Sequence, residues 1–320
     1  LIVLTGGAQA LASKSNGLAV GTRILHRLGQ SWWEDKSMAA PQSKTWMITG
    51  VSTGLGRSLA QAAMQRGDVV VGTVRSEKAR ADFAGIATGR SKALIVDVTD
   101  EARVRDAVAE AERLTGGIDV LINNAGYGLV GGVEEASLAE IRAQFETNVF
   151  GAVAVMQAVL PFMRARRAGR IVNVTSVSGL VGWPSLGIYS GSKFALEGIS
   201  ETLALEVEPL GIKIIMVEPG GLRTDFASRS RMQTAKEIAD YDSTVGACRR
   251  ILTEHSGHET GDPDKAARII LDVATSDKPP LRLLLGADAV GYATQKFRAQ
   301  SEEIRAWEAT STSIAFPSTD

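Results

Sequence analysis

The chain has 320 residues, enough for one large α/β domain or two small ones, and its 44% hydrophobic and 22% charged content is ordinary globular composition. A formal net charge of −1 gives no global pull toward nucleic acid or an anionic membrane surface. One cysteine, Cys248, excludes an intrachain disulfide and any cysteine-built zinc site.

Such cysteine usage fits a reducing compartment, and a cytoplasmic location is expected. The histidines His26, His255 and His258 are scattered, and the last two lie in a Gly- and acid-rich stretch better suited to solvent than to a metal. No metal is expected. No apolar run reads as long enough to span a bilayer, so a soluble protein without a membrane span is expected.

Residues 1–37 differ in composition from the rest of the chain. Their first acid is Glu34, and Lys14, Arg23 and Arg27 sit among small and polar residues, a composition that fits a transit peptide. The favoured alternative is translated upstream or cloning-derived sequence outside the fold, because Met38-Ala39-Ala40-Pro41 has the look of a translation start. Leu1-Ile2-Val3-Leu4-Thr5-Gly6-Gly7 imitates a strand and glycine turn without the downstream spacing. The expected organisation is an extension over 1–43, one domain over 44–306 and a tail over 307–320.

From Thr45 onward, short apolar runs alternate with helix-length amphipathic segments, the pattern of βαβ units on a parallel sheet. Strands are predicted at Thr45–Thr49, Val69–Val74, Ala93–Val96, Val120–Asn123, Arg170–Thr175, Lys213–Val217 and Leu281–Leu285. Helices are predicted at Leu55–Arg66, Glu101–Leu114, Leu138–Arg166, Ile188–Leu210 and Pro263–Ala274, with a last one from Ala289 toward Trp307. No internal repeat, low-complexity tract or interdomain linker interrupts them.

Thr49-Gly50-Val51-Ser52-Thr53-Gly54-Leu55-Gly56 comes directly after the first strand and opens a helix. Glycines let backbone N–H groups approach a phosphate, and the helix N-terminus adds positive potential. The spacing Gly-x-x-x-Gly-x-Gly differs from the common G-x-G-x-x-G fingerprint, and a ligand-free glycine turn is the alternative. Arg75 comes after strand two. An acid at that strand end would accept from the 2′-hydroxyl of NAD, whereas an arginine accommodates the 2′-phosphate of NADP. Thr73 and Val74 are not acids, so NADP is favoured and NAD remains possible. Asp97, in Val96-Asp97-Val98, suits the adenine amino group; the alternative is the N-terminal charge of the next helix.

Asn123-Asn124-Ala125-Gly126 ends strand four at the edge where open α/β sheets bind ligands. Its asparagines also suit strand-end polar groups. Asn148, in Asn148-Val149-Phe150-Gly151, lies inside a predicted helix where asparagine is intrinsically disfavoured. It suggests a distortion that turns a polar group inward, an exposed position being the alternative. Ser176 closes strand five, thirteen residues before Tyr189, with Thr175 and Ser178 as nearby decoys. Tyr189 and Lys193 are four apart and share a helix face. A free phenol titrates near about pH 10, and a neighbouring cation favours the phenolate, so Lys193 is expected to lower the Tyr189 pKa. Pro219-Gly220 comes after strand six, and the Thr224 hydroxyl is placed to contact a nicotinamide carboxamide or a phosphate.

Taken in order, Thr49…Gly50…Gly54…Gly56, Asn123-Asn124-Ala125-Gly126, Asn148, Ser176, Tyr189…Lys193 and Pro219-Gly220 resemble the short-chain dehydrogenase/reductase superfamily, in its compact single-domain branch. The resemblance covers about residues 44–285. It implies a Rossmann-type, doubly wound parallel sheet of seven strands, a nicotinamide cofactor, and a catalytic tetrad of Asn148, Ser176, Tyr189 and Lys193. It also implies a homodimer or homotetramer paired through Leu138–Arg166 and Ile188–Leu210. The cofactor surface expected from motifs and resemblance together is Gly50, Ser52, Thr53, Gly54, Leu55, Gly56, Arg75, Asp97, Val98, Asn124, Ala125, Gly126, Tyr189, Lys193, Pro219, Gly220 and Thr224.

The expected activity is hydride transfer between NADP(H) and a carbonyl/alcohol pair, a small-molecule substrate, with Tyr189 as general acid or base. Lys193 is expected to hold the nicotinamide ribose, and Asn148 to position a water between Lys193 and solvent. Two rivals stand: a non-catalytic NADP sensor, which has little need of Ser176, Tyr189 and Lys193 together, and a nucleotide-sugar epimerase or dehydratase. The second usually carries another glycine spacing and a larger C-terminal domain. The stretch Arg223–Gly261 is the expected substrate lid. Phe226, Met232, Tyr241 and Val245 either form an apolar wall for a steroid, retinoid or aromatic ketone or pack the lid onto the domain. Trp183-Pro184 is placed to limit substrate size.

Overall fold

The computed structural model describes residues 43–224 and 231–316, all within one compact unit. The expected N-terminal extension and Phe226 lie outside the described residues, apart from Ser43. In chain order the strands are β1 (Thr45–Ile48), β2 (Val69–Val74), β3 (Ser91–Ile95), β4 (Val120–Asn123), β5 (Gly128–Val130), β6 (Gly169–Val174), β7 (Ile212–Pro219), β8 (Arg231–Gln233) and β9 (Arg282–Leu285). The helices are α1 (Gly54–Gln65), α2 (Glu77–Ala84), α3 (Glu101–Thr115), α4 (Leu138–Phe145), α5 (Ala152–Arg166), α6 (Gly187–Val207), α7 (Ala247–Glu254), α8 (Pro263–Thr275) and α9 (Ala287–Thr312).

Seven strands form one sheet in the order β3-β2-β1-β4-β6-β7-β9, every neighbouring pair parallel. This is the doubly wound, Rossmann-type sheet that the alternating pattern predicted. The strand order reverses between β1 and β4, which opens a crevice at their carboxyl ends. Successive side chains of a strand point to opposite faces, so both faces need a cover. Trp46 and Ile48 pack with α1 and α8 on one side, together with Leu59, Phe83 and Ile270. Met47 and Leu121 pack with α3, α5 and α6 on the other, through Val108, Met163 and Leu196.

Several helix starts coincide with capping residues. Asp100 accepts from Arg103 N at α3, Asp262 from Asp264 N and Lys265 N ahead of Pro263 at α8, and Ser137 forms a reciprocal capping box with Glu140 at α4.

The predicted single helix over Leu138–Arg166 is α4 and α5 joined by a π-helical turn, Glu146–Gly151. The expected distortion at Asn148 is therefore present, and its side chain is buried. The whole stretch spans 29 residues with mean hydropathy 1.3 in its most apolar window, long and apolar enough to cross a bilayer by those measures. That corrects the sequence reading, in which no run reached such length. Its apolar face lies in the core, with Val155, Met156, Val159 and Met163 against the sheet. The last helix also runs past Trp307, to Thr312.

Three sets of elements were not predicted. Helix α2 buries only Phe83 and has no amphipathic period to read. Strands β5 and β8, three residues each, pair with one another across a long separation in sequence. Helix α7 lies within the stretch read only as a lid.

The entry into β1 is fixed by Asp68, whose carboxylate accepts from the Trp46 indole at 2.8 Å and from Lys44 N at 2.9 Å. Trp46 is fully buried, so losing this acceptor strands an indole N–H in the core. Asp68→Ala should lower the urea unfolding free energy by about 1–3 kcal/mol. An unchanged unfolding midpoint would refute that role.

Candidate active site

The glycine turn after β1 is held by β2 and β4. Gly50 N and Val51 N donate to the Thr73 carbonyl at 3.2 and 3.1 Å. Asn124 Nδ2 donates to the carbonyls of Thr49 and Gly50 at 2.9 and 3.1 Å, and the Thr49 hydroxyl accepts from Asn124 N and Ala125 N, each at 2.9 Å. Gly50 has φ +73°, and a Cβ on Gly56 would lie 2.2 Å from the Gly50 carbonyl oxygen. Only glycine closes this turn. Thr53 begins α1 without a side-chain cap, and no acid occupies the first turn. The first helical N–H groups thus keep their positive potential toward the crevice, a donor set that fits a dinucleotide phosphate.

Beside it, Ser52, Thr53, Arg57, Ser76, Lys78 and Asp82 line a groove. Arg75 is exposed directly after β2. Arg57 and Lys78 escaped the sequence reading; Lys78 is paired with Asp82 at 2.7 Å. Asp97 is exposed and accepts from Thr99 N at 3.0 Å and from the Thr99 hydroxyl at 2.8 Å. Val98 is buried against Gly151, where an added Cβ would lie 2.7 Å from Val98 Cγ2. Leu55 turns into the core. Across the crevice, a Cβ on Gly54 would lie 3.6 Å from Thr224 Cβ, so Thr224 faces the turn. Pro219 ends β7; Gly220 N donates to Leu285 O at 2.9 Å, and Gly221 N to Asp288 Oδ2 at 2.8 Å.

The four expected catalytic side chains converge on the same edge. The Ser176 hydroxyl hydrogen-bonds the Tyr189 phenol, and Lys193 Nζ lies 5.8 Å from the Tyr189 ring centroid. Lys193 Nζ donates to Val174 O, at the end of β6, at 2.9 Å. Asn148 grips the backbone of Tyr127: Oδ1 accepts from Tyr127 N at 3.1 Å and Nδ2 donates to Tyr127 O at 2.9 Å. Its Nδ2 also lies 3.1 Å from Ser192 Oγ. Gly126 sits between, since a Cβ there would be 3.0 Å from Asn148 Oδ1 and 3.8 Å from Lys193 Nζ. Asn123 stands below the site, donating to Asn173 Oδ1 at 2.9 Å, while Asn173 donates to Ser200 Oγ at 2.7 Å.

The electrostatics differ from the expectation. Burial pushes the Tyr189 phenol up to about 12, and the Ser176 hydrogen bond offsets only part of that rise. The expected lowering of the phenol below its ordinary value does not occur, because burial dominates; the Lys193 ammonium donates to the Val174 carbonyl. Burial also draws Lys193 down to about 8, against the Glu197 charge, which raises it. Among the described residues, no group of histidine, cysteine or acidic side chains is arranged to hold a metal ion.

The elements around the expected lid are stitched together by residues that no motif marked. Buried Gln144 accepts from Leu129 N at 2.7 Å and donates to Tyr127 O at 2.8 Å. Glu135 accepts from Gly132 N at 2.8 Å, Ile238 N at 2.9 Å and Arg249 at 2.8 Å. Burial would raise the Glu135 carboxyl, yet these donors hold it below its usual value. Of the expected apolar wall, Val245 is buried, with Gly132 packed close to it. The Tyr241 hydroxyl donates to Glu134 at 2.7 Å, and Met232 is exposed. Trp183 meets Tyr292 of α9 edge to face at 4.5 Å.

The family model for short chain dehydrogenase matches residues 44–235. The chain is 41% identical to Oxidoreductase BOA17 of Botryotinia fuckeliana over 274 residues, 85% of this chain and 100% of that one. It is 38% identical to 3-ketodihydrosphingosine reductase of Bacteroides thetaiotaomicron, over 77% of this chain and 88% of that one. A solved short-chain dehydrogenase from Streptomyces avermitilis superimposes with a TM-score of 0.81 at 39% identity, over 86% of this chain and 99% of that one. Two more distant structures carry cofactors. A short-chain dehydrogenase/reductase from Burkholderia phymatum holds NAD (TM-score 0.71, 26% identity, 82% of this chain and 95% of that one). ElxO holds NADP (TM-score 0.65, 25% identity, 78% of this chain and 99% of that one). With the glycine turn, the strand-end asparagines and the Ser176–Tyr189–Lys193 cluster on one sheet edge, the chain belongs to the short-chain dehydrogenase/reductase superfamily of oxidoreductases.

Proposed function

We propose that this protein is an NADP(H)-dependent oxidoreductase that interconverts a carbonyl and a secondary alcohol, with Tyr189 as general acid/base. The observation that carries this reading is the Ser176 hydroxyl bonded to the Tyr189 phenol, with Lys193 over the ring, facing the glycine turn at one strand edge. When bound, the nicotinamide cofactor supplies or accepts the hydride. Gly50, Ser52, Thr53, Gly54 and Gly56 would hold its phosphates, with Asn124 keeping their backbone in place. Ser176 and Tyr189 both offer an O–H to a carbonyl oxygen, and Tyr189 then gives up its proton to the alkoxide that develops. At neutral pH the buried Tyr189 phenol is protonated, the state that an acid in carbonyl reduction requires. Lys193 holds a positive charge beside the phenolate that forms, and Asn148 fixes the Tyr127 backbone behind the site.

NADP is favoured because Arg75 comes directly after β2, with no acid at Thr73 or Val74, and Arg57 lines the groove that begins at the next residue, Ser76. A hydrophobic carbonyl substrate is favoured by the reductase named for 3-ketodihydrosphingosine among the relatives. Self-association through the two long helices draws support from Phe150, Phe162, Phe194, Ile199 and Leu205, all exposed there.

Titration of the purified protein with NADPH and with NADH, followed by nicotinamide fluorescence, tests the cofactor. Tighter NADPH binding that collapses in Arg75→Ala is the expected result; equal affinities indifferent to Arg75 would sink the 2′-phosphate argument. In a screen of apolar ketones with NADPH, Tyr189→Phe should lower kcat/KM by about 10²- to 10⁴-fold while cofactor affinity is retained. Undiminished turnover in that variant would remove Tyr189 from the chemistry. Undiminished biological activity without turnover would favour the sensor reading.

A further inference from the structure

Behind Lys193 lies a buried acid pair that the proposed mechanism leaves unexplained. Glu197 is one helical turn beyond Lys193 on α6 and is 4% exposed; Glu218, near the end of β7, is fully buried. Arg282, from β9, bridges them: Nη1 donates to Glu197 Oε2 and, at 2.9 Å, to Glu218 Oε1, while Nη2 donates to Glu201. The Glu197 stem is wedged under the turn after Ser176, where a Cβ on Gly179 would lie 2.9 Å from Glu197 Cγ.

The hydrogen-bond count does not close with both acids ionised. Glu197 Oε1 and Glu218 Oε2 are both buried and without a donor, since the neighbouring Thr175 hydroxyl gives its one hydrogen to the Val217 carbonyl at 2.9 Å. Buried carboxylate oxygens without donors are costly, and the two side chains are within hydrogen-bonding reach of each other. Two carboxylates cannot bond one another, since neither has a hydrogen to give; a single proton supplies the missing donor. The groups facing the pair are Lys193 and Glu201 from α6, the Thr175 hydroxyl from the end of β6, and Arg282 from β9. With one shared proton, Lys193, Arg282, Glu201 and the pair form a neutral cluster.

We propose that Glu197 and Glu218 share one proton, and that the remaining negative charge, clamped by Arg282, is the counter-charge that keeps buried Lys193 an ammonium. Glu197 is on this account a positioning residue that acts through Lys193, and its functional consequence rests on the Tyr189–Lys193 reading given above. The directions of titration agree. Burial pushes Glu218 up to about 7, with the Glu197 charge adding to the rise, and burial raises Glu197 as well. The Glu197 charge is also what opposes the burial that depresses Lys193.

Two spectra of the cofactor-free protein test this without any turnover. Infrared spectroscopy at about pH 6, below the Glu218 titration, should contain the carbonyl stretch of a protonated, buried carboxylic acid. The band should vanish in Glu218→Gln, whose amide can donate to Glu197 and keep the core satisfied. A folded wild type without that band overturns the shared proton. In protein carrying ¹⁵N-lysine, the Lys193 Nζ resonance should titrate near about 8, and about 1 pH unit or more lower in the double variant Glu197→Gln/Glu218→Gln, which removes the negative charge of the pair. An unmoved titration overturns the counter-charge.

Stability supplies a third reading. A carboxyl raised from 4.5 to about 7 by folding contributes stability that is complete below its unfolded pKa and is lost as pH rises through about 7. The wild-type melting temperature should therefore fall over that window more steeply than that of Glu218→Gln; parallel curves overturn the proposal. If the spectra behave as expected but Tyr189→Phe keeps full turnover, the charge arrangement stands and the catalytic reading falls.

Discussion

A parallel sheet delivers every strand end to one edge, and there the backbone N–H and C=O groups run out of ladder partners. The candidate site is built from the side chains that close this edge. Asn124 and the Thr49 hydroxyl tie the ends of β1 and β4 together, and Lys193 takes the Val174 carbonyl at the end of β6. Asn148 and Gln144 secure the backbone beyond β4, from Tyr127 to Leu129. Groups that would be catalytic in the proposed reaction are thus also structural. Loss of one removes a function and leaves a buried polar group unpaired, so activity and stability are coupled at these positions.

Burial dominates the charge state of the site. A helical spacing of four says that Tyr189 and Lys193 are neighbours; it does not say what covers them. In the folded chain Tyr189 is 7% exposed and Lys193 6%, and desolvation moves both away from their charged forms. Neighbouring charge then acts as a correction, in the cluster behind Lys193 as well. Arg282 lowers the pKa of each acid of the pair, yet burial leaves both raised, with the Glu197 charge adding to the rise of Glu218. In the cofactor-free chain Tyr189 is thus held as the neutral phenol.

The legible parts of the chain were those whose signal is local. Continuous apolar runs such as Val69–Val74 and Val120–Asn123 gave strands with their observed bounds, since both faces of the sheet are covered. The glycine turn, Ser176 and the Tyr189–Lys193 pair were visible because their spacing is itself the geometry of a turn or a helix face. Even the π-helical turn at Asn148 had a local cue, an asparagine where a helix disfavours one. What escaped depends on distant partners. Neither β5 nor β8 carries a period in three residues, and each exists because the other is there. Gln144, Arg57, Glu218 and Arg282 are inconspicuous in sequence and acquire meaning only when the fold brings their partners up.

This difference in legibility divides the site along a physical line. The nucleotide side is a cradle of backbone, where Gly56 leaves no room for a Cβ and the contacts to be offered are N–H groups that every sequence possesses. Its signature is therefore compact and survives in short motifs. The expected substrate side depends on side-chain tethers over long separations, such as Arg249 to Glu135 across 114 residues and Tyr241 to Glu134 across 107. A wall held in this way can be rebuilt by exchanging its side chains while the cradle, the strand edge and the Tyr189–Lys193 pair stay unchanged. Sequence thus reads the glycine turn and the Tyr189–Lys193 pair well, and the tethered wall poorly.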